Sequence, residues 1–233
     1  MASSSYPVHA LKEESHQAQP RALVIGLLGG VASGKSFVAR ALADLGAVVL
    51  DADQAGHEVL REPEVKNALR QRWGESIFGS DGEIDRRAVS RIVFGASPDA
   101  PRELRFLEQV THPRITERLR KQMAAASATG APAVVLDAAV MLKARWDRLC
   151  DTLWFIDVPR DVRLERAKAR GWDKAQFAAR EAAQESVEEK RRLCDVVIDN
   201  SGAPQQTMRQ LRRHWQELVA VKSMEEESQP EKK

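Results

Sequence analysis

Two cysteines in 233 residues, Cys150 and Cys194, leave no disulfide framework and no closely spaced thiol pair for a zinc site. They read as core-filling thiols of a protein kept in a reducing compartment, and the expected location is cytoplasmic. A large net charge is also missing. Lys and Arg number 36 against 34 Asp and Glu, a balance that argues against a general nucleic-acid binder. No apolar run approaches the roughly 20 residues needed to span a bilayer, so no membrane partner is expected. Aromatic residues make up 5% of the chain. The five tryptophans, Trp73, Trp146, Trp154, Trp172 and Trp215, are expected to pack rather than to stack on a nucleotide.

What is present organises one domain. The polar stretch at residues 1–20 lacks the apolar core of a signal peptide and is expected to be a disordered tail, as is 222–233. Between them, 21–221 carries five short continuous apolar runs, at Ala22–Leu28, Ala47–Asp51, Ala133–Asp137, Thr152–Asp157 and Asp195–Asp199. Runs that are apolar throughout, rather than alternating, predict strands covered on both faces, as in a parallel sheet. Several end in Asp, which sets carboxylates at the sheet edge where open α/β folds bind ligands. Helices are expected at Lys35–Leu45, with Gly46 as a stop, and at Glu64–Trp73, Arg86–Phe94, Pro101–Ser127 and Pro204–Val219. The stretch between the second and third runs is far too long for a simple crossover, so about 54–132 reads as a helical insertion. The Arg- and Lys-dense segment at about 159–193 reads as a second, lid-like helical insertion.

The chemistry centres on GLLGGVASGKSF. Gly29, four residues, then Gly34, Lys35 and Ser36 fit the phosphate-loop pattern, after an apolar strand and at the mouth of a helix. Glycines let backbone N–H groups close around phosphate oxygens, and the helix start adds partial positive charge. The run Gly29, Gly30, Val31, Ala32, Ser33, Gly34, Lys35, Ser36 and Phe37 is therefore the expected nucleoside triphosphate cradle. Lys35 reaches the outer phosphates and the Ser36 hydroxyl ligates Mg²⁺. A guanine-reading N-K-x-D is absent, and a large mechanical ATPase would need more chain. A small-molecule kinase remains, with one insertion for the acceptor and one closing as a lid. After the second strand stand Asp51 and Asp53. Two roles fit them: accepting the proton of an attacking hydroxyl, or capping the helix that contains Glu58–Leu60.

Further short motifs follow in order: Asp51-Ala52-Asp53, Phe78-Gly79, Asp81-Gly82-Glu83-Ile84-Asp85-Arg86, Val93-Phe94, His112-Pro113, Arg166 with Arg170 and Gln184, and Asp195 through Gly202. Together with the phosphate loop, over about Leu23–Leu218, this ordered set resembles the dephospho-CoA kinase family. The resemblance implies a P-loop kinase of three-layer α/β/α build, with a five-stranded parallel sheet, a helical acceptor-binding insertion and a helical lid. It implies ATP and dephospho-CoA as substrates and transfer of the γ-phosphate to a ribose 3′-hydroxyl. Asp53 then falls at the general base. Arg170 and Arg166 fall at the lid arginines, the first touching transferring phosphate and the second ATP, for which a planar guanidinium is suited. Asn200 and Gly202 fall beside the adenine. Asp137 falls near Mg²⁺ through water, or caps its strand end. His57, Arg86 and His112 are the acceptor-side candidates. For each a plainer role also fits: an exposed helix position, a pair with Asp85, and a histidine fixing a helix bend before Pro113. A monomer or weak oligomer is expected.

Three positions depart from the family pattern. Phe37 follows the loop where Thr is usual, and Leu28 replaces the threonine of G-L-T-G-G. The segment Ala139-Val140-Met141-Leu142-Lys143 stands where the family reads P-L-L-x-E. That exchange keeps two alternatives in play, a different small-molecule acceptor or a nucleotide-binding regulator without transfer activity.

Overall fold

The computed structural model describes residues 21–227, so the expected tail at 1–20 and residues 228–233 lie outside the described residues. The chain divides into two compact units. One comprises the chain up to Leu50 and from Met123 onward, and the other is Asp51–Gln122.

The first unit carries the sheet. Strands β1 (Leu23–Gly29), β2 (Val48–Asp51), β3 (Ala133–Asp137), β4 (Thr152–Asp157) and β5 (Val196–Asp199) lie in the order β2-β3-β1-β4-β5. The sheet is parallel, and Leu27 is opposite both Asp137 and Trp154. All five strands fall within a residue or so of their apolar runs. Continuous apolarity is explained by burial on both faces. Ile25, Leu27, Val135, Trp154, Ile156 and Ile198 point into one core with helices α1 (Lys35–Asp44) and α9 (Pro204–Glu227). Val24, Leu28, Val134, Leu136 and Phe155 are buried on the alternate positions. Truncating a fully buried side chain such as Leu27 to Ala would cost about 2–5 kcal/mol.

Gly46, with φ of 109°, follows α1 and donates to the Ala43 carbonyl at 2.9 Å, the expected helix stop. The lid-like segment holds three helices, α6 (Arg160–Ala169), α7 (Lys174–Ala182) and α8 (Val187–Arg192). Capping boxes at Asp173 with Gln176 and at Ser186 with Glu189 start the second and third. Helix α9 runs past the expected Val219, so 222–227 is helical. Its Met-Glu-Glu-Glu end contains strong helix formers and no breaker.

The second unit holds α2 (Ala52–Val59), α3 (Pro63–Trp73), α4 (Arg86–Phe94) and most of α5 (Ala100–Ala128). Two short 3₁₀ turns, Glu75–Ile77 here and Trp146–Leu149 in the first unit, were not legible in the sequence. Glu103 organises the second unit. Its carboxylate accepts from Arg72 at 2.9 and 2.8 Å, from Trp73 Nε1 at 2.8 Å and from Arg102 Nε at 3.0 Å.

Candidate active site

The chain leaves β1 for β2 and β3 on one side of the sheet and later reaches β4 on the other. The carboxyl end of β1 is thus the point where strand order reverses, and there open α/β sheets bind ligands. The loop from Gly29 to Lys35 sits at that point. Gly34 is the N-cap of α1 with φ of 90° and ψ of 27°. This left-handed geometry suits glycine, and a Cβ there would lie 2.4 Å from Asn200 Nδ2. Ser33 N donates to the Gly30 carbonyl at 3.1 Å, closing the turn. Lys35 is half-buried and Ser36 and Phe37 are exposed, all in the first turn of α1.

Side chains from two later segments grip this loop. Asn200 is 5% exposed. Its Nδ2 donates to the Ser33 carbonyl at 2.8 Å, its Oδ1 accepts from Thr207, and its own N–H donates to Asp157 O. Arg166 donates to Asn200 O at 2.7 Å and to Ser33 O at 3.4 Å. The structure thus brings together Gly34, Ser33, Arg166 and Asn200 from segments far apart in sequence. Gly202 is exposed in the turn before α9, and Arg170 caps α6 with its side chain exposed; neither joins these bonds. Asp137 ends β3, half-buried.

Two buried cations near the loop escaped sequence reasoning. Arg163, 4% exposed, bonds to Val31 O and to Glu181 of α7. Lys190, 3% exposed, donates to Gln184 Oε1 at 2.9 Å. Burial pushes its pKa down; Glu185 opposes the shift, and Lys35 and Arg163 add to it. Nothing in the charged runs around either residue separates it from its solvated neighbours. The one available signal is helical spacing, which puts Arg163 four residues before buried Ala167. Lys35 and Lys190 also share a small cavity of about 10 Å³ with Ala138, Met141, Leu142 and Glu185. The segment that departs from the family pattern is therefore next to the loop lysine. Met141 is 1% exposed, whereas Lys143 is an exposed residue. A larger cleft, about 670 Å³, opens between the loop at Gly30 and Val31 and the helical segment that carries Arg160, Gln184 and Lys190.

In the second unit Asp51 Oδ1 accepts from the N–H groups of Asp53 and Gln54 at 2.8 and 3.0 Å. The capping role read for one of the two aspartates thus falls to Asp51. Asp53 stands exposed in the first turn of α2, with His57 four residues on along the same face. Arg86, at the start of α4, donates through Nη1 to His57 Nε2. Asp53, His57 and Arg86 thus gather on one side of α2. His112 is half-buried inside α5, and its carbonyl accepts from Thr116 Oγ1 at 2.8 Å.

A parallel sheet of this order, with a G-x-x-x-x-G-K-S turn on its central strand, defines a phosphate-loop kinase of the α/β class. The family can be named more closely. The family model for dephospho-CoA kinase matches residues 23–206, and the chain belongs to that family. The dephospho-CoA kinase of Carboxydothermus hydrogenoformans is 37% identical over 191 residues, 81% of this chain and 90% of that protein. The one from Geobacter metallireducens is 40% identical over 84% of this chain and 97% of its own length. The crystal structure of TT1252 from Thermus thermophilus superposes with a TM-score of 0.72 at 32% identity, covering 85% of this chain and 98% of that one. Dephospho-CoA kinase from Campylobacter jejuni, 22% identical with a TM-score of 0.58 over 84% of this chain and 96% of that one, shares the fold. The resemblance read from the ordered motifs is borne out.

Proposed function

We propose that the protein transfers the γ-phosphate of ATP to the ribose 3′-hydroxyl of dephospho-CoA, giving CoA and ADP. The observation that carries this reading is the phosphate loop at the sheet's switch point, locked by Arg166 and Asn200, in a chain of the dephospho-CoA kinase family. The loop amides and Lys35 hold the β- and γ-phosphates, and Arg166, Asn200 and Gly202 serve the nucleotide side. Asp53 takes the proton of the 3′-hydroxyl. The freed oxygen attacks phosphorus as the bond to the ADP oxygen breaks, and Arg170 meets the charge spread over the transferring phosphoryl. His57, Arg86 and His112 serve the acceptor. The guanidinium of Arg86 beside His57 supports an anion subsite there.

Among the described residues no group of three His, Cys, Asp or Glu side chains is arranged to hold a metal ion. That suits Mg²⁺, which arrives with nucleotide phosphates and keeps several waters. Ser36 would hold it directly and Asp137 through water. Bound there, the ion would neutralise developing phosphate charge. No described helix is long and apolar enough to cross a membrane. A cytoplasmic monomer or weak oligomer without nucleic-acid partners completes the reading.

The test is an ADP-release assay with ATP, Mg²⁺ and dephospho-CoA, with adenosine and AMP as parallel acceptors. Turnover with dephospho-CoA alone is expected. Turnover only with another acceptor would overturn the assignment. It would favour the second reading, an altered acceptor, motivated by the AVMLK segment, whose Met141 is buried beside the loop lysine.

A further inference from the structure

Arg163 carries a full charge in a buried position, and its three polar partners come from three different pieces of the first unit. Nε donates to Val158 O, in the turn after β4, at 3.1 Å. Nη1 donates to Val31 O in the phosphate loop at 3.3 Å and to Glu181 Oε1 in α7 at 2.7 Å. Phe177 of α7, fully buried, has its ring centre 5.7 Å from the guanidinium carbon. The loop touches the same group again at Gly30, where a Cβ would lie 2.7 Å from Nη1. Glu181 Oε2 is held from outside by Arg160 Nε at 2.9 Å. Arg163 and Glu181 belong to none of the motifs that mark the family.

We propose that the Arg163–Glu181 pair is the link through which nucleotide at the phosphate loop orders helix α7 of the lid. Arg163 is a positioning residue and Glu181 is its anchor on the lid. A guanidinium is a rigid plane whose donors point in fixed directions. It cannot follow a displaced Glu181 without turning the donor that holds the Val31 carbonyl. Nor can the buried charge be left unpaired without a large penalty. Helix α7 and the loop therefore settle together. Ligand that fixes the loop steadies α7, and by reciprocity a steadied α7 tightens binding at the loop. The link rests on the reading of the loop as the ATP site.

Hydrogen exchange on the full chain tests it, with Mg²⁺ and a non-hydrolysable ATP analogue as the probe. In the parent protein both the loop peptide (29–37) and the α7 peptide (174–182) gain protection. In Glu181→Ala at saturating analogue the loop keeps its gain, α7 loses most of its own, and the analogue binds about tenfold more weakly. Arg160→Ala, which removes the outer arm on Glu181 and its contact with the Phe177 ring but leaves the Arg163 link to the loop intact, leaves the α7 gain within about twofold of the parent. Should Glu181→Ala not fold, Glu181→Gln decides alone, with an α7 gain reduced by more than about twofold as support. A parent-like α7 gain in the Glu181 variant, with the loop still protected, overturns the link alone. Loss of the gain in Arg160→Ala does so too. An unprotected loop in the parent overturns the ATP reading and the link with it.

Discussion

Arg166 donates through Nη2 to the main-chain oxygen of Asn200, 2.7 Å away, while the amide of Asn200 and the other arm of Arg166 converge on the Ser33 carbonyl. The nucleotide side of the loop is therefore held from behind by a residue of α6 and one that follows β5. Arg166→Ala removes both arms of one clamp. The expected loss is about 10- to 150-fold in kcat/KM for ATP, taken mostly in KM, from charge-assisted bonds of about 1.5–3 kcal/mol. Steady-state kinetics with ATP varied would check it. An unchanged KM would show that the clamp is idle.

Gly34→Ala combines left-handed strain with a collision at Asn200 Nδ2. Destabilisation of about 1–3 kcal/mol is expected, with loss of ATP binding, whereas Gly82→Ala, also at positive φ but with open space around it, keeps ATP binding. Thermal melts with and without Mg-ATP separate the two.

Asp51 and Asp53 differ in a way that two variants can read. Asp51→Ala removes the α2 cap and is expected to cost about 1 kcal/mol of stability. Asp53→Asn leaves that cap in place. As the base, Asp53 should lose about 10²- to 10⁴-fold in kcat on this change while ATP affinity persists. Equal turnover in Asp53→Asn and the parent would remove Asp53 from that role.

Arg86→Ala takes the guanidinium from beside His57. The KM for dephospho-CoA should rise about tenfold, with the KM for ATP within about twofold of the parent. A change confined to the ATP KM would move Arg86 off the acceptor side.

Glu103 gives the second unit an acid sensitivity. The Arg72 and Trp73 hydrogen bonds, with Arg102 adding to them, hold its carboxyl down at about 2. A carboxyl so lowered contributes stability above its unfolded value, about 4.3, and loses it as pH falls toward 2. Melting temperature should therefore drop across that window, and less steeply in Glu103→Gln, which starts lower. Parallel pH profiles of the two proteins would count against this network.

The sheet was legible because continuous Val, Ile and Leu runs have one stable home, between two covering layers. The phosphate loop was legible because glycine, lysine and serine spacing is dictated by the ligand. Helix α2 was harder. Asp51 and Asp53 are both good caps by type, and only the bond to the Asp53 and Gln54 amides separates them. Lys190 was not legible at all, and Arg163 only through its helical spacing from Ala167. Charged residues in charged runs read as solvated, and burial of a cation is a property of the partners that tertiary structure brings, here Glu181, Val31 and Gln184.

Burial pushes the thiols of both Cys150 and Cys194 up to about 12. A thiol that stays protonated is a poor nucleophile near neutral pH. Both natural thiols are therefore expected to label slowly with maleimide. A single cysteine introduced at exposed Lys174, at the start of α7, would carry a fluorophore without prior removal of either natural one, and any movement of that helix would become an optical signal in the otherwise unaltered chain.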